Sequence, residues 1–537
     1  MRNIFNSIHS ILVHRKSLEA IKGYRTLRKS DPDFVNRVRN TIADNPLNIR
    51  RSIVENILFP KEVDLSIATH QYLLKILLGR MFTRSVLSCI HTRKSFLYPL
   101  PSSWLKIVDD SGIKVAYFRS RILFLIFISI YWLFAIFTLF RNILLQFKRR
   151  EIKGDYSYFF DLDNSCLPSI KHNNTYNIVD WYIKNFKRGK KTIVHNVYNM
   201  NIDDRDFFGF NIRYSIDHCP KINYFDFFVK FLPVTFLQIF FLTFVNLVLL
   251  RWWNILLLKE MVYMNIFKYL DSNKSNQYFF HFSYRIYRPL WTYVAQMRGS
   301  ELIFYFYSCH ISTYMMNNGE YSTVPEFWQV MNWPTYLVWN KSHAKFIQSQ
   351  IQSPANIKIV HPIYYQESSS TKLTTNRPIV LVFDMQPYRE YFSYTFASAQ
   401  SYTYSHKVSI AFLKDIQEVT SQMGVDLLFK RKRNESKLNK KYLTFLKSFV
   451  ENDNVTEIDP GVSAFRLCKE CDVTISMPFT STAVVADYYG KESIYYDPTG
   501  NIQKNDRAAH NLTVINGKKE LRGYLNNLIK NTIKSSS

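Results

Sequence analysis

The fold is decided by residues 471–497, which read C-D-V-T-I-S-M-P-F-T-S-T-A-V-V-A-D-Y-Y-G-K-E-S-I-Y-Y-D. Residues 472–476 carry three β-branched side chains in five positions, which predicts a strand. A hydroxyl-rich turn follows, then a predicted helix that ends at Gly490, where a left-handed C-cap residue is expected, and then a second strand. This order is typical of α/β folds, which bind anions at such turns.

The turn itself contains Phe479, Thr480, Ser481 and Thr482. Ser and Thr favour the N-cap of a helix, so hydroxyl and backbone N–H groups are expected to converge at the positive end of the helix dipole. A phosphate oxygen is stabilised there. The alternative is ordinary N-capping without a ligand, and the turn alone does not separate the two interpretations.

Composition and net charge limit the kinds of binding partner that we expect. The chain has 537 residues, which predicts two or three domains, and a formal net charge of +27. Such a charge calls for a polyanion, either nucleic acid, anionic lipid or a phosphorylated small molecule. The sequence has no zinc-finger spacing, no aromatic RNA-binding signature and no basic region joined to heptads, so we do not expect a nucleic-acid partner.

Two apolar runs, 122–140 and 231–250, contain no charged residue, and each is long enough to cross a hydrocarbon core of roughly 30 Å. Basic residues flank the first run on both sides, and two spans would export the strand-like segments 156–160 and 192–197. We therefore predict segments that dip into or lie on the inner leaflet, with their flanks on anionic lipid. Two transmembrane spans, or burial as core helices, are the alternatives.

Strands and helices alternate in the rest of the chain. In the second half, predicted strands 379–383, 425–429 and 455–458 are separated by predicted helices 409–423 and 438–449. Alternation of this kind indicates a parallel sheet covered by helices, and two such blocks joined by a polar linker indicate a cleft between two Rossmann-type domains.

The predicted organisation has five parts that differ in composition. They are a helical region 1–118, a hydrophobic segment 119–150 with basic flanks, an acceptor-side α/β domain 151–365 containing a second hydrophobic segment 231–258, a linker 366–376, and a nucleotide-binding α/β domain 377–530.

Three features follow strands of the second block, and ligands of such sheets bind outside the carboxyl ends of the strands. They are the segment from Asp384 to Arg389, the basic run from Lys430 to Arg433, and the turn at 480–482. At least one of Lys430 and Lys432 is expected to turn into the cleft, where it would neutralise a diphosphate or nucleoside monophosphate leaving group. A solvated basic loop is the alternative.

Four motifs carry a family resemblance. Residues 476–483 (S-M-P-F-T-S-T-A), 384–389 (D-M-Q-P-Y-R), 429–433 (F-K-R-K-R) and 332–339 (N-W-P-T-Y-L-V-W) resemble the bacterial polysaccharide biosynthesis proteins named for their P-F-T-S motif. The resemblance covers roughly residues 280–525.

More distantly, the arrangement resembles GT-B glycosyltransferases of the capsule, sialyl and Kdo type, in which a K-x-H-P turn and a serine pair hold the donor phosphate. Lys430 matches the lysine, Arg431-Lys432 stands in place of His-Pro, and Thr480-Ser481 stands for the serine pair. The resemblance implies a nucleotide-sugar substrate, with no metal and no cofactor. The donor-phosphate residues predicted on this basis and from the strand ends are Lys430, Lys432, Arg433, Arg389, Phe479, Thr480, Ser481 and Thr482.

An inverting transfer needs a base for the acceptor hydroxyl. Asp384 is the first candidate because it ends a strand at the cleft, although capping of a helix or pairing with Arg389 would give the same pattern. Glu301 and His310 are the candidates in the first block, where Glu320 and Glu326 are also available. His310 is equally well explained as a hydrogen-bonded loop residue.

Together these features predict a membrane-associated glycosyltransferase of GT-B type on the cytoplasmic face of a bacterial inner membrane. It would transfer a nucleotide-activated sugar to a polyprenyl-linked acceptor during synthesis of O-antigen or capsule, beside anionic lipid. A polyol-phosphate transferase of CDP-glycerol type and a non-catalytic scaffold of a polysaccharide assembly complex are the alternatives.

Overall fold

The computed structural model describes the whole chain except residues 1, 153–154, 163–177, 186–191, 198–204, 208–209, 271–274, 283–284, 310–313, 320–326, 364–377, 386, 398–404, 432–437, 460–461 and 537. The predicted linker 366–376 lies outside the described residues.

The amino-terminal region is helical. Its helices are α1 (Arg2–Ser30), α2 (Phe34–Asp44), α3 (Ile53–Leu58), α4 (Leu65–Leu77), α5 (Arg80–Thr92) and α6 (Ser102–Asp110). Helices α1 and α5 pack closely because Gly23 has no side chain: a Cβ there would lie 1.9 Å from the carbonyl oxygen of Leu87. The region also contacts the second half of the chain, since the ring of Tyr24 lies 4.9 Å from that of Tyr394.

The next part holds a long apolar helix and the first sheet. Its elements are α7 (Tyr117–Lys148), β1 (Tyr156–Leu162), α8 (Ile178–Asn185), β2 (Thr192–Val197), β3 (Arg205–Phe207), β4 (Phe210–Tyr214), α9 (Tyr224–Asp226), a π-helical turn (Phe227–Phe231), α10 (Leu232–Val248), α11 (Trp252–Lys268), β5 (Ser275–Phe282), α12 (Leu290–Met297), β6 (Glu301–Phe306), a 3-10 turn (Trp328–Val330), β7 (Thr335–Val338), α13 (Lys341–Gln350) and β8 (Asn356–Ile359).

The first sheet has eight strands in the order β3-β4-β2-β1-β5-β6-β7-β8, and every pair is parallel except β3 with β4. The six strands from β4 to β7 follow the Rossmann order 3-2-1-4-5-6. Strands such as β6, with the sequence E-L-I-F-Y-F, are continuous apolar runs because both faces of the sheet are covered. The centre of the sheet lies where β1 pairs with β5, register Phe159 to Phe279.

The second hydrophobic segment, 231–258, is divided between two helices in the structure. Helix α10 ends at Val248, the chain turns at Leu250 with a φ of 54°, and α11 runs back toward β5. Helix α11 is buried along most of its length between α7, α10 and α12. The indole Nε1 of Trp132 on α7 donates to the carbonyl of Ile239 on α10 at 3.0 Å, so the two apolar helices lie side by side.

The second sheet lies in the carboxyl-terminal part. Its elements are β9 (Ile379–Phe383), α14 (Glu390–Ala397), α15 (His406–Gln422), β10 (Asp426–Lys430), α16 (Lys440–Val450), β11 (Val455–Ile458), α17 (Ala464–Glu470), β12 (Val473–Ser476), α18 (Ser481–Tyr488), β13 (Glu492–Asp497), a 3-10 turn (Arg507–Ala509), β14 (Thr513–Asn516) and α19 (Gly517–Ser536).

The six strands of this sheet are all parallel, in the order β11-β10-β9-β12-β13-β14, which is again the Rossmann order. The predicted strands 379–383 and 455–458 are confirmed to the residue. Gly490 has a φ of 67°, as expected of a left-handed residue after a helix.

The expected fold class is therefore confirmed: two Rossmann-type α/β sheets in a GT-B-like pair, preceded by a helical region and accompanied by two apolar helices. Carboxyl-end loops of the first sheet meet those of the second. The ring nitrogens of His510, after β13, lie within hydrogen-bond distance of Asn340 Oδ1 after β7 and of the Cys309 carbonyl oxygen after β6.

A buried ion pair joins the end of α7 to the loop that follows β4 of the first sheet. The Nε of Arg149 donates to Asp217 Oδ1 at 3.0 Å and its Nη2 to Oδ2 at 2.6 Å, and the two side chains are only 1% and 9% exposed. The Arg149 guanidinium holds the pKa of the Asp217 carboxyl below its ordinary value, despite the opposing effect of burial.

Replacing Asp217 with Asn leaves the Arg149 charge buried without its counterion. We expect Asp217→Asn to lower the free energy of unfolding by about 3 to 5 kcal/mol, measured by urea unfolding in mild detergent. The exposed pair of Arg37 and Asp31 provides the control, and Asp31→Asn should cost less than about 1 kcal/mol. Equal losses for the two variants would contradict this account of α7.

Candidate functional site

The carboxyl edge of the second sheet brings together the three features predicted from the sequence. Phe383, the last residue of β9, is the register partner of Lys430 on β10 and of Ser476 on β12. Adjacent strands lie about 4.8 Å apart, so Asp384, the basic run and the turn after β12 begin within two strand spacings. The order of the strands also reverses between β9 and β12, and such a switch point is where ligands of doubly wound sheets bind.

The hydroxyl groups of the turn bond to one another and to the backbone. Thr480 Oγ1 donates to the Met477 carbonyl at 3.0 Å, and Thr482 Oγ1 lies 2.9 Å from Ser476 Oγ and 3.3 Å from Thr480 Oγ1. Thr480 is the N-cap of α18, yet its side chain accepts no hydrogen bond from the first turn of that helix. The hydroxyls therefore shape the turn, and the first-turn N–H groups of α18 are left uncapped by Thr480.

Ser481 connects the two sheets. Its Oγ accepts a hydrogen bond from the backbone N–H of Cys309 at 3.1 Å, and Cys309 belongs to the loop after β6 of the first sheet. His510 extends this contact, since its Nε2 lies 3.1 Å from the Cys309 carbonyl oxygen and its Nδ1 lies 3.0 Å from Asn340 Oδ1. The turn predicted to bind phosphate thus stands where the two domains meet.

Phe479 adopts a backbone conformation that is rare for an aromatic residue. Its φ is 66°, in the left-handed region that favours glycine, and its side chain is buried. The ring is held between those of Tyr314, 4.9 Å away, and Tyr495, 5.5 Å away. A strained residue held by its surroundings is a common property of functional sites, and here the strain directs the chain into α18.

Asp384 and Lys430 are two buried ionisable residues at the same sheet edge as the turn, and Lys430 Nζ donates to the Arg431 carbonyl at 3.4 Å. The two residues are 4% and 6% exposed. Asp384 Oδ2 accepts a hydrogen bond from the Tyr442 hydroxyl at 2.7 Å. Burial lowers the pKa of the Lys430 amino group, while the carboxylates of Asp384 and Asp459 oppose that shift. An anion beside Lys430 would favour its charged form in the same way.

The remaining predicted donor residues are less closely grouped. Arg389 is exposed. Arg431, which stands where the resemblance expected a histidine, donates its Nη2 to Glu457 Oε2 at 2.8 Å, so this side chain is directed toward β11. Lys432 and Arg433 lie outside the described residues.

Glu301, a base candidate of the first block, is not brought to Asp384. It is the first residue of β6, at the amino end of the strand, where it accepts from Gln277 Nε2 at 2.8 Å and lies 3.7 Å from Lys358 Nζ. The five residues of β6 that follow it, about 17 Å of strand, separate it from the carboxyl edge. His310, Glu320 and Glu326 lie outside the described residues.

Four residues at the site escaped the sequence analysis: Tyr442, Cys309, His510 and Asn340. Tyr442 comes from the first turns of α16, and the other three come from loops that only the packing of two domains brings together. The signal in the sequence was that Cys309 and Asn340 closely follow the apolar runs 302–307 and 336–339.

The contact between the domains should depend on pH. Burial lowers the pKa of His510 from 6.5 to about 4, although its bond to the Cys309 carbonyl opposes the shift. Between these two values the unfolded chain binds more protons than the folded chain, so stability falls as the pH falls from about 6.5 to about 4. The full loss is on the order of 3 kcal/mol.

His510→Gln removes this proton uptake and keeps a side-chain amide that can donate to the Cys309 carbonyl. We expect the melting temperature of the variant to decline less steeply than that of the wild type over this pH range. His91→Gln, at an exposed position on α5, serves as the control. Parallel curves for wild type and His510→Gln would show that His510 is not a source of the acid sensitivity.

Comparison with solved structures gives matches of low similarity. A trehalose 6-phosphate synthase from Burkholderia multivorans is 8% identical, with 71% of this chain and 90% of that chain covered at a TM-score of 0.37. A putative UDP-N-acetylglucosamine 2-epimerase from Listeria monocytogenes is 8% identical, with 71% and 89% covered at 0.34. The Alr3699/HepE protein of Anabaena, solved with UDP and glucose, is 9% identical, with 71% and 91% covered at 0.34. Scores this low carry no argument about activity.

Curated proteins give no match to the sequence. The family model described as polysaccharide biosynthesis PFTS motif protein matches residues 236–525, which include α10, α11, the last four strands of the first sheet and the whole second sheet. The match covers more than half of the chain and includes the P-F-T-S turn at residues 478–481. The chain therefore belongs to the PFTS motif family of polysaccharide biosynthesis proteins.

Proposed function

We propose that the protein is a metal-independent glycosyltransferase of GT-B type that builds a bacterial surface polysaccharide, such as O-antigen or capsule. It transfers a sugar from a nucleotide-activated donor to a polyprenyl-linked acceptor at the cytoplasmic face of the inner membrane. The observation that carries the proposal is the position of the P-F-T-S turn, at the switch point of the second sheet and at the start of α18.

The donor diphosphate is assigned to the first turn of α18. The N–H groups there are not capped by Thr480, and the helix dipole favours negative charge at this end. Lys430 ends β10 on the same edge of the sheet. It supplies a cation for the charge that accumulates on the leaving group. Ser481 fixes the turn relative to the first sheet through Cys309, so that the donor faces the acceptor-side domain.

In the reaction, an acceptor hydroxyl attacks the anomeric carbon of the donor sugar, and the bond from that carbon to the diphosphate oxygen breaks. The nucleoside diphosphate leaves with the bonding electron pair, and the hydroxyl proton passes to a base. We assign the base to Asp384, the carboxylate at the switch point, which the Tyr442 hydroxyl holds in place. The rival role for Asp384 is to orient Lys430.

Asp384→Asn separates these two roles. Loss of a base should lower kcat by about a hundredfold or more with little change in donor affinity, whereas loss of an anchor for Lys430 should weaken donor binding. Turnover and donor affinity are measured on the same purified protein in lipid nanodiscs. An Asn variant with wild-type kcat and affinity would exclude both roles.

Donor binding can be tested without knowledge of the acceptor. A panel of nucleotides and nucleotide sugars is screened by thermal shift against the full chain, and the best ligand is titrated. We expect Lys430→Met to weaken its binding by about tenfold or more, because a charge-assisted contact to phosphate is lost. Lys447→Met, at an exposed position on α16, should bind as the wild type does. A wild-type protein that discriminates among none of the nucleotides would overturn the proposal.

The released product then distinguishes the transferase classes. Transfer of a sugar from a nucleoside diphosphate sugar releases a nucleoside diphosphate, whereas polyol-phosphate transfer from CDP-glycerol releases CMP. A scaffold releases neither. In cells, Ser481→Ala combined with Lys430→Ala should abolish the surface polysaccharide, and wild-type amounts of polysaccharide with this variant would exclude an enzymatic role for the site.

A further inference from the structure

The outward faces of two helices are apolar while their polar residues point inward. Two helices of the described chain are long and apolar enough to cross a membrane, Tyr117–Lys148 and Tyr224–Val248. In α10 the polar side chains, Thr235, Gln238, Thr243 and Asn246, are all buried. The side chains that face outward are large and apolar, as at Phe241 and Phe244, which are 61% and 68% exposed.

The inward polar residues of α10 are fastened to α11. Asn265 Nδ2 donates to Thr235 Oγ1 at 3.0 Å and to Gln238 Oε1 at 2.7 Å. Asn254 Nδ2 donates to Asn246 Oδ1 at 2.9 Å. These bonds fix the rotation of α10 about its axis, so its apolar residues cannot turn inward.

Helix α7 also has polar side chains on its inner side and apolar side chains on its outer side. Asn142 and Gln146 are buried on its inner side, and Asn142 Nδ2 donates to the Thr138 carbonyl at 2.8 Å. Its outer side presents Leu133, Phe137, Phe140 and Leu144, with Phe137 67% exposed. Because Trp132 holds α7 against α10, the two outer sides form one surface, which we call the apolar face. Exposed apolar surface of this extent indicates a hydrophobic partner.

Contacts of the amino-terminal helices exclude complete membrane crossings by α7 and α10. If α7 crossed, the helices before it and the first sheet after it would lie on opposite sides of the bilayer, yet the backbone N–H of Arg288, between β5 and α12, donates to Gln71 Oε1 of α4 at 3.3 Å. Arg251, which follows the turn after α10, donates its Nη1 to Glu55 Oε2 of α3 at 2.6 Å, so the far end of α10 lies on this same side. In addition, α7 has buried residues from Ser120 to Gln146, so protein covers one of its sides over nearly its whole length.

The charges beside the apolar face indicate which kind of partner covers it. The sequence has no Asp or Glu between residues 117 and 150 or between 227 and 250. Exposed cations lie at both ends of α7. They are Arg119 and Arg121 at its start, Lys148 at its end, and Arg141 about two turns before that end. A second copy of this chain would bring these like charges together, whereas an anionic lipid headgroup neutralises them.

We propose that the apolar face lies in the plane of the membrane and inserts into one leaflet of an anionic bilayer, so that the protein is monotopic. The turn at Leu249 and Leu250, both exposed, enters the same leaflet beside the α10 face. The basic residues lie at headgroup depth. This inference concerns attachment to the bilayer and is independent of the reaction proposed above.

Flotation with vesicles tests the attachment. The full chain, freed of detergent, is mixed with vesicles of phosphatidylethanolamine and phosphatidylglycerol or with vesicles of phosphatidylcholine alone. The wild type should float with the anionic vesicles. Phe241→Asn with Phe244→Asn should weaken this binding at least about tenfold, and so should Arg121→Glu with Arg141→Glu. Met81→Gln, an exposed apolar position on α5 that is distant in sequence from both helices, is the matched control.

The melting temperature and the nucleotide binding of each variant are also measured. These measurements distinguish misfolding from loss of lipid contact. Wild-type vesicle binding by both double variants would overturn the proposal, as would an oligomer of the wild type that the phenylalanine variant dissociates while vesicle binding persists. A protein that floats normally but binds no nucleotide would overturn the proposed reaction alone.

Topology gives a second test. Reporters fused after residues 200 and 300 should report the cytoplasmic side for both fusions, because the chain does not cross the bilayer between them. Signals from opposite sides would overturn the monotopic arrangement even if flotation behaves as expected.

Discussion

The parallel pairing of β1 with β5 is the constraint on which the rest of the structure depends. The chain leaves the sheet after β1, completes the strands on one side, passes through the α10–α11 hairpin and returns as β5. The bonds of Arg251 to Glu55 and of Arg288 to Gln71 keep the hairpin and the first sheet on the same side of any bilayer as the amino-terminal helices. The pairing of β1 with β5 also creates the switch point of the first sheet, since β5 starts the strands on the other side.

The apolar helices and the first sheet share one core. Phe267 at the end of α11 stacks on Trp291 of α12 at 4.6 Å and meets Tyr278 of β5 at 5.9 Å. Because these side chains are closely packed, the orientation of the apolar face also fixes the orientation of the first sheet. The second sheet is held to the first by the contacts of Ser481 and His510 with Cys309 and by an apolar cluster that includes Leu337 and Val484.

The local sequence pattern predicts the strands of the second sheet well, but it predicts only part of the candidate site. Strands such as β9 are short, apolar and bounded by polar turns, so their limits follow from the sequence, and parallel alternation then places Asp384, Lys430 and the 480–482 turn on one edge. The partners of these residues do not follow, because Tyr442 reaches Asp384 from another helix and Cys309 reaches Ser481 from another domain. Glu301 is the first residue of β6 because a polar residue can begin a buried strand, and it therefore lies at the edge of the first sheet opposite the carboxyl ends.

The turn after β12 shows why hydroxyl residues are needed there even though their side chains do not cap α18. Phe479 enters the left-handed region, and the bonds of Thr480 to the Met477 carbonyl and of Thr482 to Ser476 hold the chain in that conformation. Because these hydroxyls bond within the turn, the first-turn N–H groups of α18 receive no side-chain cap from Thr480. The helix end is thus held by side-chain bonds, carries the positive end of the helix dipole and lies two strand spacings from Lys430. A phosphate bound there, as proposed, would find these contacts in place without a prior rearrangement of the turn.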